Sequence, residues 1–247
     1  ELEREKREEE ERAARPSLNQ LMAFLDRSFT PPSLSKTIDD VTAGKKTTLA
    51  KDLRSAFSCI EKNGEFGVTR DELKRETKTA DEETMKELLK ILVEEGIVFE
   101  GGVDEKRWID MKHVALWTVE VSNRRVIPRP WTHPLTSISP STVRWMAESV
   151  LVAVLYQPGI TMDSLRYRFE FVLQPVCLQE LIELLEEAKC VVTMKRELKE
   201  MKLKGAFDDE DPTRMVQYLM PTIDSIERFS RIFGSVVLNH TEFEDAC

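Results

Sequence analysis

Residues 67–73, GVTRDEL, and residues 159–165, GITMDSL, are near-copies of one heptad in a chain of 247 residues. In each copy a threonine, Thr69 or Thr161, follows a β-branched residue, and its hydroxyl can accept from an unpaired N–H of the first helical turn. The apolar residue before the threonine and the leucine four positions after it have the spacing of a hydrophobic staple. Glu72 completes a capping box with Thr69. Both heptads therefore predict the start of a helix.

The similarity extends on both sides of the heptads. The segments MKELLKILVEEGIVF (85–99) and LQELIELLEEAKCVV (178–192) repeat apolar residues at i, i+3, i+4 and i+7, which predicts one buried helix face in each. Each segment ends in a β-branched pair that predicts a strand. Further helical patterns precede the heptads, at 49–60 and 143–155. This order is typical of a winged helix, whereas the alternative is two unrelated helical hairpins.

The expected fold is mainly α with small β-hairpin wings, as two winged-helix domains in tandem, the second extended by a C-terminal strand and helix. Residues 1–35 are interpreted as a charged lead-in and a helix, with a stripe from Leu18 to Leu25, that docks on the first domain or on a partner. The other expected segments are a first domain at 36–121, a proline-rich linker at 122–141 and a second domain with its C-terminal helix and tail at 142–247.

Three smaller elements are predicted within these domains. The first wing has strands around Trp108 and from Leu116 to Val121, and the acidic stretch 203–213 is a mobile loop. In YLMPTIDSIERFSRIFG (218–234), Tyr218 to Met220 add a strand to the second wing around residues 190–194. Pro221 ends that strand and Thr222 caps a helix. The apolar residues expected to face inward from this helix are Ile223, Ile226, Phe229 and Phe233.

Composition, charge and cysteine pattern indicate which broad class of protein the chain belongs to. The chain carries a net charge of −9, with 33% charged and 41% hydrophobic residues, and contains neither an apolar run of membrane-spanning length nor a secretory signal. Its four cysteines form no CxxC pair, and Cys177 and Cys190 lie in apolar runs, which indicates buried thiols in a reducing compartment. The chain begins with Glu1, so we expect it to be a piece of a longer protein.

The sequence offers little catalytic chemistry. His113, His133 and His240 are scattered without metal-ligand spacing, and neither a glycine-rich phosphate loop nor a nucleophile motif is present. We therefore expect a protein that is not an enzyme and has no cofactor, metal or small-molecule substrate.

Charge argues against DNA reading by the third helix of either domain. The segment from Asp81 to Glu95 contains six acidic residues and two basic ones, and the second copy contains four Glu before its only Lys. Such helices are repelled by phosphates. Basic residues that remain as possible contacts to a DNA backbone or a partner lie in the linker and after the second helical pair: Arg124, Arg125, Arg129, Lys195, Arg196 and Lys199. The alternative is a basic loop that balances acidic neighbours.

Four segments resemble a known family: RPW at 129–131, QPGIT at 157–161, VLQPVCLQELIELLEEAKCVV at 172–192 and the 218–234 stretch. Over residues 129–233 they resemble the C-terminal region of the largest, B-box-binding subunit of transcription factor IIIC. The resemblance implies a nuclear scaffold subunit that helps assemble an RNA polymerase III factor on tRNA-type promoters, with other subunits as partners and no membrane.

The resemblance assigns no DNA-reading residue to this chain, since the acidic third helices supply no candidate. We expect DNA contact through the complex, and weak or no DNA binding by this chain alone. The residues themselves are also compatible with two other functions: a tandem winged-helix adaptor of an unrelated, ESCRT-II-like complex, and a direct DNA-binding module.

Overall fold

The structure, a computed structural model, describes residues 16–26, 28–29, 36–77, 81–121, 124–133, 137–199 and 213–236. It is mainly helical, with small antiparallel sheets of two or three strands. Contacts divide the chain into a middle unit, Arg27–Ser137, and a terminal unit, Glu1–Asp26 with Ile138–Cys247. The charged lead-in, most of the acidic loop at 203–213 and the C-terminal tail fall outside the described residues.

The elements follow the chain in a simple order. Helix α1 (Leu18–Leu25) belongs to the terminal unit. The middle unit contains β1 (Ser28–Phe29), α2 (Ile38–Thr42), α3 (Thr47–Lys62), α4 (Arg70–Thr77), α5 (Glu82–Glu94), β2 (Val98–Gly101), β3 (Arg107–Asp110), α6 (Val114–Trp117), β4 (Val119–Val121), β5 (Arg124–Val126) and β6 (Thr132–His133). After β7 (Ser137–Ile138) come α7 (Pro140–Tyr156), β8 (Ile160–Thr161), α8 (Met162–Phe169), α9 (Pro175–Glu187), β9 (Val191–Lys199), β10 (Thr213–Pro221) and α10 (Ser225–Phe233).

The middle unit packs α3, α4 and α5 over the β2–β3 hairpin. Just before α4, Val68 forms an antiparallel bridge with Trp108 of β3: the Val68 N–H donates to the Trp108 carbonyl at 3.0 Å, and the Trp108 N–H returns the bond at 2.9 Å. Leu53, Leu73, Leu88 and other side chains below 10% exposure fill the core between these elements. The predicted apolar face of the third helix is therefore buried.

The terminal unit repeats this plan with a longer hairpin. Here α7, α8 and α9 precede β9 and β10, which pair over nine residues each. Strand β8, at the position of Val68, pairs with β10, the second hairpin strand, as Val68 pairs with β3. Ile160 pairs with Leu219, and both are buried. Each heptad thus pairs with the hairpin of its own unit, through a single bridge at Val68 in the middle unit and through the two-residue strand β8 in the terminal unit.

The glycine that opens each heptad lies at positive φ, +63° at Gly67 and +82° at Gly159. A Cβ on Gly67 would also lie 2.5 Å from Ile109 Cγ1 and 2.7 Å from the Trp108 carbonyl oxygen. L side chains rarely adopt that φ, and the bridge to Trp108 leaves no space for one. The repeated glycine is therefore a requirement of the strand that precedes each helix.

The first wing differs from the prediction in its second half. Trp108 does lie in a strand, but Leu116 is helical, in α6, and it is exposed. Residues 119–121 and 124–126 instead pair as β4 and β5 in a separate sheet of order β1-β5-β4. The assignment of Leu116 to a strand is wrong because the partner that Trp108 needs comes from β2, on its N-terminal side.

The C-terminal element is partly as expected. Tyr218 to Met220 lie in β10, opposite Val192 to Met194. Phe229 and Phe233 are buried and stack with ring centroids 4.6 Å apart. The inward placement of Ile223 and Ile226 is wrong, since they are 108% and 63% exposed. Helix α10 begins only at Ser225, so Ile223 precedes it in a turn and Ile226 falls on its outer face.

Candidate interaction surface

Helix α9, the third helix of the terminal unit, is buried around most of its circumference. Besides the predicted apolar face, a second face is buried, formed by Val176, Glu180 and Leu184 at 1% exposure or less. The equivalent residues of α5 in the middle unit are Glu83, Glu87 and Ile91, of which the two glutamates are exposed. Glu180, one of the four acidic residues that precede Lys189, is therefore buried in this face.

Helix α1 packs on α9, the helix that carries this second buried face. It has no counterpart among the elements that pack most extensively on α5. Leu21 and Leu25, one turn apart on α1, are 0% and 1% exposed. A capping box fixes the start of the helix: the Gln20 N–H donates to Ser17 Oγ, and the Ser17 N–H donates to Gln20 Oε1. The first domain was the expected docking site of α1 within the chain, but α1 packs on the terminal unit.

The part of α9 that stays accessible is a narrow acidic stripe. It holds Gln179, Glu183, Glu186 and Glu187, which are half-buried or exposed. Glu186 is already engaged, because its carboxylate accepts the Thr193 N–H at 2.9 Å. A helix that shows only this stripe presents negative charge to any phosphate that approaches it.

The outer face of α5 carries charges of both signs that pair with one another. Lys86 pairs with Glu83 at 2.7 Å and Lys90 with Glu94 at 3.8 Å. A groove of about 360 Å³ lies between α5 and β3, where the guanidinium of Arg70 stacks over Trp108 at 5.6 Å. Arg70 also pairs with Glu82 at 3.6 Å. These cations are therefore partly neutralised by their own neighbours.

Apolar side chains are exposed together around α8 in the terminal unit. Tyr156 and Tyr167 are each 81% exposed, Phe171 is 97% exposed and Val172 is 64% exposed. The Arg168 guanidinium lies 5.7 Å from the ring centroid of Tyr156, which is a cation–π contact. We call Tyr156, Tyr167, Phe171 and Val172 the aromatic surface. Large exposed apolar groups of this kind mark interaction sites.

The aromatic surface was not predicted from the sequence, although the spacing of its aromatic residues is unusual. Within α8 only Leu165 is buried, so one inward residue completes that short helix. The aromatic residues that follow Leu165 are therefore not needed to pack this helix. Tyr167, Phe169 and Phe171 follow an i, i+2, i+4 spacing, which does not match a helix face. This surplus of aromatic residues is what indicates an external partner.

The three candidate arginines of the linker differ in exposure. Arg129 is only 9% exposed, and its guanidinium donates to the Gly102 carbonyl at 3.3 Å, so little of its side chain is accessible to DNA or a partner. Arg125 is half-buried and pairs with Glu120 across the β4–β5 pair at 3.4 Å. Arg124 is exposed at the start of β5. A buried guanidinium needs this kind of carbonyl partner, and sequence position alone does not reveal it.

The second group of basic candidates lies on one strand. Lys195, Arg196 and Lys199 all belong to β9, and the side chains of Lys195 and Arg196 are exposed. In the register of the hairpin, Lys195 faces Gln217, Arg196 faces Val216 and Lys199 faces Thr213. These three residues therefore lie on one strand of the longer hairpin.

The predicted caps have different outcomes. Thr69 Oγ1 accepts the Glu72 N–H at 3.2 Å, while Glu72 accepts the Thr69 N–H at 2.9 Å, which holds the pKa of the Glu72 carboxyl below its usual value. Thr161 Oγ1 accepts the Ser164 N–H at 3.1 Å and caps α8. Thr222 does not cap α10: its hydroxyl instead donates to the carbonyls of Lys189 and Cys190, because the helix begins three residues later.

Titratable groups give no sign of a metal or nucleophile site in the described part of the chain. Burial raises the pKa of the Cys59 thiol to about 12 and that of Cys190 to about 11, so both stay protonated near neutral pH. No cluster of three or more potential metal ligands occurs among the described residues. None of the described helices combines the length and apolar character that a membrane span requires.

Comparison with known proteins adds no identification. No family model matches the chain, and no curated protein matches it either.

Proposed function

We propose that the chain is a non-catalytic protein-interaction region of a transcription factor IIIC subunit, built of two winged-helix units. In this role it holds other subunits together in the nucleus while the assembled factor occupies B-box-containing tRNA-type promoters. The complex, rather than this chain alone, makes the sequence-specific DNA contacts. The sequence resemblance over residues 129–233 supports this context.

The strand pairing of the two units supports the winged-helix part of the proposal. In each unit a long helix precedes the heptad, a short capped helix and a longer helix follow it, and a hairpin comes next. In each unit the heptad pairs with the second strand of that hairpin, through the bridge of Val68 with Trp108 or through Ile160 and Leu219. This order and pairing support the winged-helix interpretation.

The packing of α1 on α9 is the observation that favours protein over DNA as the main ligand. A winged helix that reads DNA inserts its third helix into the major groove. In the terminal unit the face of Val176, Glu180 and Leu184 is buried, and the stripe that remains is acidic. Entry into a groove would require α1 to leave and would bring carboxylates against phosphates.

The aromatic surface provides a place for a protein partner. Tyrosine and phenylalanine are enriched at the centres of interfaces because they bury large areas at low entropic cost. Tyr167 and Phe171 are almost wholly exposed in this chain, so a partner that covered them would gain their burial energy.

Affinity capture from a nuclear extract tests the proposal. We expect the tagged chain to retain other subunits of the IIIC factor, identified by mass spectrometry. The double variant Tyr167→Ser, Phe171→Ser should lose them, whereas Phe66→Ser should retain them, since Phe66 is a 69% exposed aromatic residue of the middle unit. Capture of an unrelated adaptor complex, or equal capture by both variants, would contradict the assignment.

One observation favours a second candidate function, contact with a DNA backbone by the longer wing. Lys195 and Arg196 are exposed on β9, and a wing can lie along phosphates while the third helix stays away from the groove. Such binding would be independent of sequence and would weaken steeply as salt is raised. Titration of the chain with unrelated duplexes at two salt concentrations distinguishes this activity from B-box reading.

A further inference from the structure

Strand β9 lies at the edge of its sheet, and the direction of its backbone groups can be assigned. The sheet order is β8-β10-β9, so one side of this nine-residue strand has no partner strand among the described residues. The Thr193 N–H donates to Glu186 and therefore points away from β10. Because backbone groups alternate along a strand, those of Lys195, Glu197 and Lys199 point outward as well.

The β10 strand gives an independent check on this alternation. The Leu219 carbonyl accepts the Gly159 N–H at 2.9 Å, so Leu219 directs its backbone toward β8. Leu219 is opposite Thr193 in the hairpin register. If Leu219 points to β8, its opposite residue Thr193 must point outward, which agrees with the bond to Glu186. No described residue accepts the N–H of Lys195 or Glu197.

The two faces of the edge offer different side chains. Lys195 projects on the same face as Glu197, and both side chains are exposed. Val192 and Met194 project on the opposite face and are 49% and 48% exposed. Glu197 shares the face of Lys195, and the exposed Arg196 shares the face of Met194. An added strand would therefore lie beside a cation on each face, next to a carboxylate on one face and next to apolar groups on the other.

The charge of the hairpin is opposite to that of the chain. In residues 195–199 and 213–217 four basic residues stand against one acidic residue, although the whole chain has a net charge of −9. Lysine on an edge strand discourages pairing with uncharged strands, and it favours a strand that brings carboxylates. The β2–β3 hairpin of the middle unit, with four residues in each strand, offers a much shorter edge.

We propose that the outer edge of β9, from Lys195 to Lys199, binds an extended acidic segment of a partner protein by strand addition, with carboxylates alternating with β-branched apolar residues. Main-chain bonds to Lys195 and Glu197 hold the segment, its carboxylates lie near the exposed cations Lys195 and Arg196, and its apolar residues pack on Met194. This proposal rests on the proposed function, because it names the chemistry of one partner of the same interaction region.

The test uses the full 247-residue chain and a synthetic peptide of five Glu-Val repeats with blocked ends. We expect fluorescence anisotropy to show saturable binding, and amide exchange to show protection at Lys195 and Glu197. A matched peptide of five Lys-Val repeats should not bind. Absence of binding by the acidic peptide, or equal binding of the two peptides, would overturn the proposal.

Two variants of one residue separate strand addition from simple charge attraction. Glu197→Pro removes an outward N–H that the hairpin does not use, so the wing should stay folded, and Glu197→Ala is the control that keeps this N–H. We expect the proline variant to bind the acidic peptide about tenfold more weakly than the alanine variant. Unchanged melting of both variants shows that the fold is intact. Equal affinity of the two variants would show that charge alone attracts the peptide.

Competition with duplex DNA completes the test. If the acidic peptide adds to the edge, a duplex should displace it only at concentrations where non-specific binding occurs. If a duplex instead protects Lys195 and Glu197 and excludes the peptide at lower concentration, the wing is a nucleic-acid contact and the proposal is overturned. Failure of the peptide together with successful capture of IIIC subunits would remove the edge proposal alone.

Discussion

Replacing Leu21 by alanine tests the docking of α1 on α9. Leu21 is 0% exposed, and removal of such a leucine side chain typically costs about 2–5 kcal/mol. Helix α1 has only eight residues, so it is too short to be stable on its own and depends on its contact with α9. The substitution therefore weakens the docking of α1. It can destabilise the rest of the unit by no more than the free energy that docking contributes.

Hydrogen–deuterium exchange with mass spectrometry measures this effect locally. A loss of at least about 2 kcal/mol should speed exchange in peptides from α1 by about thirtyfold. Peptides from the covered face of α9, around Val176 to Leu184, should also exchange faster. Peptides from α5 in the middle unit should not change.

A matched control places the same substitution in the other unit. Leu73 of α4 is also 0% exposed, and Leu73→Ala should speed exchange in the middle unit while α1 and α9 keep their wild-type rates. If Leu21→Ala left α1 and α9 within about twofold of wild type, a difference worth under 0.5 kcal/mol, α1 would not be docked. Faster exchange in α5 to the same extent as in α9 would show that the effect is not local.

Three further predictions concern the caps, the C-terminal helix and the stability in acid. Thr69→Ala and Thr161→Ala should each lower the stability of their own unit by about 1 kcal/mol, seen as a shift in the denaturant midpoint; unchanged midpoints would mean that the caps contribute nothing. Phe233→Ala should destabilise the terminal unit by about 3–5 kcal/mol because the ring is fully buried, whereas Ile226→Ala, at 63% exposure, should change stability little; equal effects in thermal melting would contradict the assigned faces. The pKa of Glu72 is lowered in the folded chain, mainly by the Thr69 N–H, so its contribution is present above the ordinary carboxyl pKa of 4.5 and is lost as pH falls through the lower folded value. Glu72→Gln should therefore flatten the loss of stability below pH 4.5, and an unchanged acid limb would show that Glu72 does not contribute to it.

The sequence predicted the parts of the fold that local interactions determine. The helix starts at Thr69 and Thr161 depend on a hydroxyl and an N–H three residues apart, and those partners are visible in the heptad. The apolar faces of α5 and α9 follow from the spacing of leucines along one helix. Both kinds of signal lie within a few residues, so a single chain reveals them.

Contacts between distant segments were harder to predict. The docking of α1 joins residues near position 20 to residues near position 180, and only the second apolar face of α9 hinted at it. The burial of Arg129 depends on the Gly102 carbonyl, which lies in another loop. The start of α10 was misplaced because Thr222 binds the carbonyls at Lys189 and Cys190 instead of its own helix. In each case the deciding partner lies far away in sequence.

The candidate surface shows the same division. The acidic character of the third helices could be predicted, since charge is a property of the residues themselves. The exposure of Tyr167 and Phe171 was not predicted, because their spacing is a weak signal beside the usual burial of aromatic residues, and the folded chain was needed to show that Leu165 alone is buried in that helix.

Titration of the chain with a B-box duplex and with a scrambled duplex of equal length, at physiological salt, tests the central claim most directly. The claim is that this chain binds proteins and leaves DNA reading to the assembled factor. We predict half-saturation at micromolar or higher concentration, with affinities for the two duplexes within about twofold, as expected for contact with phosphates alone. Nanomolar binding with at least a tenfold preference for the B box, as expected of a specific reader, would contradict the account.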